Sequence, residues 1–177
     1  YVQLNQGEDM IAFKQAKGEL KQRLASLNDT LNRRMHAATQ LNYEDWLKSH
    51  QPFHWLAEFY QIIKGNGGFD VIIGNPPYVT FTDASLKYNV RQYSTYNTKN
   101  LFALCGERFT SLVCNNASIG YIIPLSGMSI DGFESLQNVI YSNCHSWNSY
   151  YSGDRNPSEL FTGVKIRAGI YISRHQK

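Results

Sequence analysis

The run Phe69-Asp70-Val71-Ile72-Ile73-Gly74 leads directly into Asn75-Pro76-Pro77-Tyr78, and no other stretch limits the fold as tightly. Six residues rich in β-branched side chains, set off by glycines, predict a short buried strand. Two successive prolines cannot extend it, because each fixes φ and lacks the N–H that a sheet ladder needs. The strand therefore ends at Gly74, and residues 75–78 sit at its carboxyl end. Upstream, Gly65-Asn66-Gly67-Gly68 precedes the strand directly and opens no helix, so its glycines are expected to serve a turn.

Around this centre the pattern alternates. Residues 9–47 are rich in Lys, Gln, Ala, Leu and Glu, with Leu20, Leu24, Leu27 and Leu31 three or four apart, which predicts helix. Asn28-Asp29-Thr30 either breaks that helix into a hairpin ending near Trp46 or lies on its polar face. Gln51-Pro52 ends the helical pattern, and Phe53, Trp55, Leu56, Phe59, Tyr60, Ile62 and Ile63 are expected to be largely buried. Residues 100–115 have helical spacing, and Ile119-Gly120-Tyr121-Ile122-Ile123 before Pro124 predicts a second buried strand. Strand, helix and strand in that order imply a parallel α/β sheet. A further helix is expected near residues 133–141, and strands over 147–151 and 164–173. Residues 1–50 are expected to form a helical segment and 51–177 the catalytic part.

Composition narrows the partners only weakly. The formal charge of +3, from 17 Lys and Arg against 14 Asp and Glu, suits a polyanionic partner and an ordinary domain alike. Cys105, Cys114 and Cys144 show no Cys-x-x-Cys spacing, so neither a disulfide framework nor a zinc site is expected, and a reducing cytoplasm is the simplest compartment. No run approaches the roughly 18 apolar residues of a membrane span.

Open α/β sheets place ligands at the carboxyl ends of their strands, where residues 75–78 fall. The exocyclic amine of adenine is a poor nucleophile because its lone pair is delocalised into the ring. The side-chain oxygen of Asn75 and the main-chain carbonyl of Pro76 can each accept one amine hydrogen, favouring a tetrahedral nitrogen with its lone pair aimed at a methyl donor. Pro76 and Pro77 hold those acceptors rigid. Tyr78 supplies a stacking face for an extruded base, worth roughly 1 to 3 kcal/mol. The plainer alternative is a stiff turn whose Tyr78 caps the core.

The run from Phe69 to Val79 resembles the catalytic motif of adenine-specific DNA methyltransferases. Asn100-Leu101-Phe102 resembles the start of the next family motif, and Gly120-Tyr121-Ile122-Ile123-Pro124 the strand after it. Leu160-Phe161-Thr162-Gly163-Val164-Lys165-Ile166-Arg167 is similar to the segment whose aromatic residue contacts the flipped adenine from its other side. Pro52-Phe53-His54-Trp55 with Glu58-Phe59 looks like the type IIG restriction-modification subgroup, in which the resemblance gives His54 no chemical role. It implies a partial Rossmann-like methyltransferase sheet and S-adenosylmethionine as cofactor. It also implies double-stranded DNA as partner, Asn75, Pro76, Pro77 and Tyr78 as catalytic residues, and Tyr78 and Phe161 against the flipped base. Asn75, Asn100 and Phe102 then lie beside the cofactor.

The family binds its cofactor through a strand, a Gly-rich turn and an acidic residue ahead of the catalytic motif, and residues 1–64 lack that pattern. With Tyr1 at its start and 177 residues, the chain is expected to be a fragment, inactive or nearly so without its cofactor-binding half and a target-recognition domain. Three readings stand beside this one. A glutamine side chain in a protein or a guanine amine in ribosomal RNA poses the same nucleophile problem. A non-catalytic DNA-binding module is the third, for which residues 87–99, basic and interleaved with Tyr88, Tyr93 and Tyr96, offer a surface. Glu19-Leu20-Lys21 has an acidic-lysine form found in many restriction nucleases, but helical segments carry such tripeptides by chance.

Overall fold

The computed structural model describes residues 8–86, 88–142, 144–151, 160–161 and 166–176. The chain divides into two compact units, Tyr1–Tyr60 and Gln61–Lys177.

The first unit is helical. A long helix α1 (Glu8–His36) is followed by α2 (Tyr43–His50) and the single turn α3 (Trp55–Glu58). The break falls at residues 37–42, so Asn28-Asp29-Thr30 lies inside α1. Its side chains look outward to partners: Asn28 donates to Glu58 at 2.7 Å, and Asp29 accepts from Arg33 at 2.8 Å and Tyr43 at 2.7 Å. Asn42 caps α2 by accepting the Glu44 N–H, and Gln51 ends it in the left-handed region with φ 43°. Trp46 is buried among His36, Tyr43 and His50, with ring centroids 5.3 to 6.2 Å away. The His54 ring bonds the Asn32 side chain of α1 at 2.7 Å. The apolar stretch that follows is not largely buried, since Phe53, Trp55, Leu56 and Tyr60 are all exposed. A four-residue helix has too little surface to cover these rings. Phe53, Trp55 and Phe59 instead pack against one another at 5.0 to 6.0 Å and leave their outer faces to solvent.

The second unit is a mixed α/β structure. Strand β1 (Phe69–Gly74) pairs parallel with β2 (Val113–Pro124), and α4 (Leu101–Leu112) connects them. β2 begins immediately after α4, so residues 113–115 are strand and not helix. Helix α5 (Ser126–Ser129) and α6 (Glu134–Tyr141) lead to β3 (Cys144–Tyr151) and then β4 (Ala168–His175). The sheet order is β1-β2-β4-β3. β4 is antiparallel to both neighbours, so the sheet is mixed and not wholly parallel. The strand-helix-strand rule holds for β1-α4-β2, but the last strand turns back into the slot between β2 and β3. The glycine turn before β1 does what its composition predicts: Gly67 and Gly68 have φ of 80° and 137°. At Gly68 a Cβ would stand 2.4 Å from the Val113 carbonyl carbon, so only glycine lets the turn approach the start of β2.

One face of the sheet is covered. Val113, Ala117, Ile119, Tyr121 and Ile123 of β2 and Tyr171 of β4 form the core with Phe102 of α4 and Leu136 and Ile140 of α6. The Tyr171 hydroxyl donates to the Ile140 carbonyl. The other face is open among the described residues. Val71 and Ile73 of β1 are 60% and 80% exposed, and Trp147 and Ile172 are exposed beside them. β1 is therefore half-buried on one face and open on the other, because α4 and α6 lie on one side only. Among the described residues no helix is long and apolar enough to cross a membrane.

Candidate acceptor pocket at the end of strand β1

The prolines end β1 at Gly74, and the chain leaves the sheet with Asn75 exposed, Pro76 buried and Pro77 exposed. Asn75 lines one end of an open hollow of about 440 Å³ with Ile73, Gly74, Gly120, Tyr121, Ile122, Ile170 and Ile172. The hollow exists because Gly120 pairs with Ile73 and presents no side chain between Ile73 and Ile172.

Tyr78 turns towards the core. Its ring stands edge-on to Phe102 with centroids 6.4 Å apart, and its hydroxyl is buried without a hydrogen-bond partner. Burial pushes the phenol up from its ordinary pKa. Phe102 is 2% exposed and stacks on Phe133 at 5.2 Å, so it supports Tyr78 from within the core. Asn100 precedes α4; its side-chain amide donates to the Thr98 carbonyl at 2.6 Å, and its backbone forms a bridge with Thr80. Phe161 is exposed, and its neighbours 162–165 lie outside the described residues. The structure thus brings Tyr78 and Phe102 into ring contact and sets Asn100 opposite Thr80.

Between Tyr78 and Asn100 the chain makes an excursion that returns beside its own start. The Leu101 N–H donates to the Val79 carbonyl at 2.9 Å, and the Phe81 N–H to the Lys99 carbonyl at 2.8 Å. Two carboxylates organise the excursion. Asp83 accepts from Lys99 at 2.8 Å, from Arg91 at 3.0 Å and from the Tyr96 hydroxyl. The Lys99 and Tyr96 bonds, more than the ionic attraction, hold its carboxyl down at about 2. Lys99 also lies 3.6 Å from the Tyr96 ring centroid. The expected basic and aromatic surface is thus partly an internal network, since Asp83 engages both Arg91 and Lys99, while Lys87 lies outside the described residues.

The second carboxylate belongs to Glu107 of α4. It accepts from the Ser94 N–H and hydroxyl, both at 3.0 Å, and from the Thr95 N–H at 2.9 Å and hydroxyl at 2.8 Å. Ser94 and Thr95 open a short 3₁₀ turn (Ser94–Thr98), whose first N–H groups lack partners of their own. Burial alone would raise the Glu107 carboxyl, but the bonds from Thr95 and Ser94 outweigh it and hold the group below its ordinary pKa. Nothing in the sequence singled out Glu107. An Ser-Thr pair at a turn is a capping signal, but its acceptor lies 12 or 13 positions further on.

Comparison with known proteins assigns the chain to a family. The sequence profile of the Eco57I restriction-modification methylases matches residues 4–156. A protein of Methanocaldococcus jannaschii named "Putative type II restriction enzyme and methyltransferase" is 38% identical over 122 residues, covering 69% of this chain and 10% of its own length. The chain thus spans about a tenth of that relative. Among solved structures, the ATP-dependent Type ISP restriction-modification enzyme LlaBIII bound to DNA superposes with a TM-score of 0.41 and 14% identity, over 60% of this chain and 9% of that one.

Proposed function

Since the chain belongs to the Eco57I restriction-modification methylase family, we propose that residues 51–177 are the catalytic half of an adenine-specific DNA methyltransferase of a type IIG system, with the helical residues 1–50 inserted ahead of it. The observation that carries this reading is the position of Asn75: exposed at the end of β1, on a backbone stiffened by the buried Pro76, one turn of chain from an aromatic ring.

In the proposed reaction the Asn75 side-chain oxygen and the Pro76 carbonyl accept the two hydrogens of the adenine amine and draw its lone pair towards the donor. The base reaches them only after leaving the duplex, and Tyr78 and Phe161 take it between their rings. S-adenosylmethionine, when bound, supplies the methyl group. The hollow beside Asn75 fits an apolar part of such a cofactor, with the Asn75 amide as its polar group; Phe102, buried on the covered face of the sheet, and Asn100, bonded to the Thr98 carbonyl, lie outside its lining. Its lining holds no carboxylate or cation for the ribose or amino-acid ends. In this reading those groups come from a preceding cofactor-binding half, which extends the partial Rossmann-like sheet beyond the edge strand β1 and covers Val71 and Ile73. A target-recognition domain elsewhere in the protein reads the sequence of the double-stranded DNA.

The test is tritiated methyl transfer to adenine in mixed-sequence duplex DNA by the full-length protein, with Asn75→Ala beside it. Loss of one pre-placed partner is expected to lower the rate by roughly two orders of magnitude. A folded, cofactor-binding parent that leaves DNA untouched would move the acceptor to a protein glutamine or an RNA amine, and salt-dependent DNA binding without transfer would leave a binding module.

A further inference from the structure

We propose that Glu107 is the positioning residue of the acceptor pocket: its carboxylate holds the returning end of the 79–100 excursion on α4, and so fixes the backbone that carries residues 75–78. The inference rests on the methyltransferase reading for what the pocket does, and on geometry alone for the tether.

The tether is continuous. Glu107 takes four hydrogen bonds from Ser94 and Thr95, and Thr95 is 0% exposed. The Thr95 carbonyl accepts the Thr98 hydroxyl at 2.8 Å, and the Thr98 carbonyl accepts the Asn100 amide at 2.6 Å. From there the Lys99 carbonyl and the Leu101 N–H reach across to Phe81 and Val79, three and one positions after Tyr78. At the other side Tyr78 rests on Phe102, five residues before Glu107 on the same helix. Helix α4 therefore grips the pocket loop twice, through the Phe102 ring from below and through Glu107 by way of the excursion. Asn75 and Pro76 act only if their oxygens stand within a fraction of an ångström of the amine hydrogens, so a loop held at one point would be a poor acceptor frame. Glu107 does not touch the substrate in this scheme.

The two acceptor oxygens of Glu107 divide the work unequally: one takes the Ser94 N–H, and the other takes the Ser94 hydroxyl and both Thr95 donors. Gln at this position keeps one oxygen and can retain three of the four bonds. Ala keeps none and strands the buried Thr95 donors.

The experiment compares wild type, Glu107→Gln and Glu107→Ala in the full-length protein, with two readouts. Backbone hydrogen exchange of peptides containing Phe81 and Leu101 reads the tether without reference to activity. Steady-state methyl transfer reads kcat against KM. Glu107→Ala is expected to speed exchange at Phe81 and Leu101 by about tenfold or more, with strands β2 and β4 unchanged. It is expected to lower kcat by roughly 10- to 100-fold with little change in KM for the cofactor, and Glu107→Gln to restore most of both effects. Exchange that quickens only at Ser94 and Thr95, or quickens throughout with kcat intact, overturns the inference. A wild type that transfers no methyl group to DNA overturns the enzymatic reading instead, and the exchange at Phe81 and Leu101 still decides whether Glu107 holds the loop.

Discussion

The Tyr78 ring meets Phe102 edge-on, 87° between planes, and in doing so carries its hydroxyl into a place with no hydrogen-bond partner. A buried, unpaired hydroxyl costs about 1 to 3 kcal/mol, so the contact is made against a penalty. Tyr78→Phe is therefore expected to raise the thermal midpoint of the free protein while keeping the ring that stacks on a base. Tyr78→Ala is expected to lower methyl transfer, losing roughly 1 to 3 kcal/mol of stacking. Melting curves and transfer rates for the two variants check both halves; a Phe variant less stable than wild type would mean the hydroxyl finds a partner in solution.

Phe102 itself is a core residue wherever it stands relative to a cofactor. Its ring lies on Phe133 and under Tyr78, and it is part of the buried cluster with Leu136 and Ile123. Phe102→Ala is expected to destabilise the second unit by about 3 to 5 kcal/mol, by lost transfer energy and the cavity left behind. Urea unfolding is the measurement, and a loss under about 1 kcal/mol would show that the site collapses freely.

The turn before β1 offers a paired test. A Cβ at Gly68 would meet the backbone of Val113 and Cys114 at 2.4 and 2.5 Å, whereas one at Gly67 would meet nothing within 4 Å. Both residues have positive φ, so each alanine is strained, by about 1 kcal/mol or more. Gly68→Ala is expected to cost several-fold more than Gly67→Ala, since backbone cannot step aside, and to displace the start of β1 from β2. Circular dichroism melts of the two variants decide it; equal losses would mean strain alone governs the turn.

Where the chemistry of single residues dictates geometry, the sequence was readable. Pro76 and Pro77 must end β1, and the glycines ahead of it must turn the chain, so the position of Asn75 followed. Val71 and Ile73 were misread as buried because an apolar pattern says which side chains avoid water, not whether any element arrives to cover them. The antiparallel return of β4 between β2 and β3 was hidden because strand order is decided by the whole packed sheet. Glu107 was invisible for another reason: Ser94, Thr95 and Glu107 are ordinary surface residue types, and only the closed excursion makes them neighbours.

The Asp83 network gives the pH prediction. Its carboxyl, bonded first by Lys99 and then by Tyr96, is depressed from 3.8 to about 2 in the folded chain. A depressed acid contributes stability that is fully present above its unfolded value and is lost as pH falls through the folded one. The excursion over residues 79–100 is therefore expected to keep its structure down to about pH 4 and to loosen between about pH 4 and pH 2. Asp83 is exposed, so added salt is expected to shrink the effect by screening Lys99 and Arg91. Hydrogen exchange of the Phe81 and Leu101 amides across that window is the readout, with Asp83→Asn as control. The variant should show the loosened state at neutral pH and lose the acid step. An acid step that persists in Asp83→Asn would assign the transition to another carboxylate, and Glu107, whose carboxyl is also held below its ordinary value, would be examined next by the same exchange.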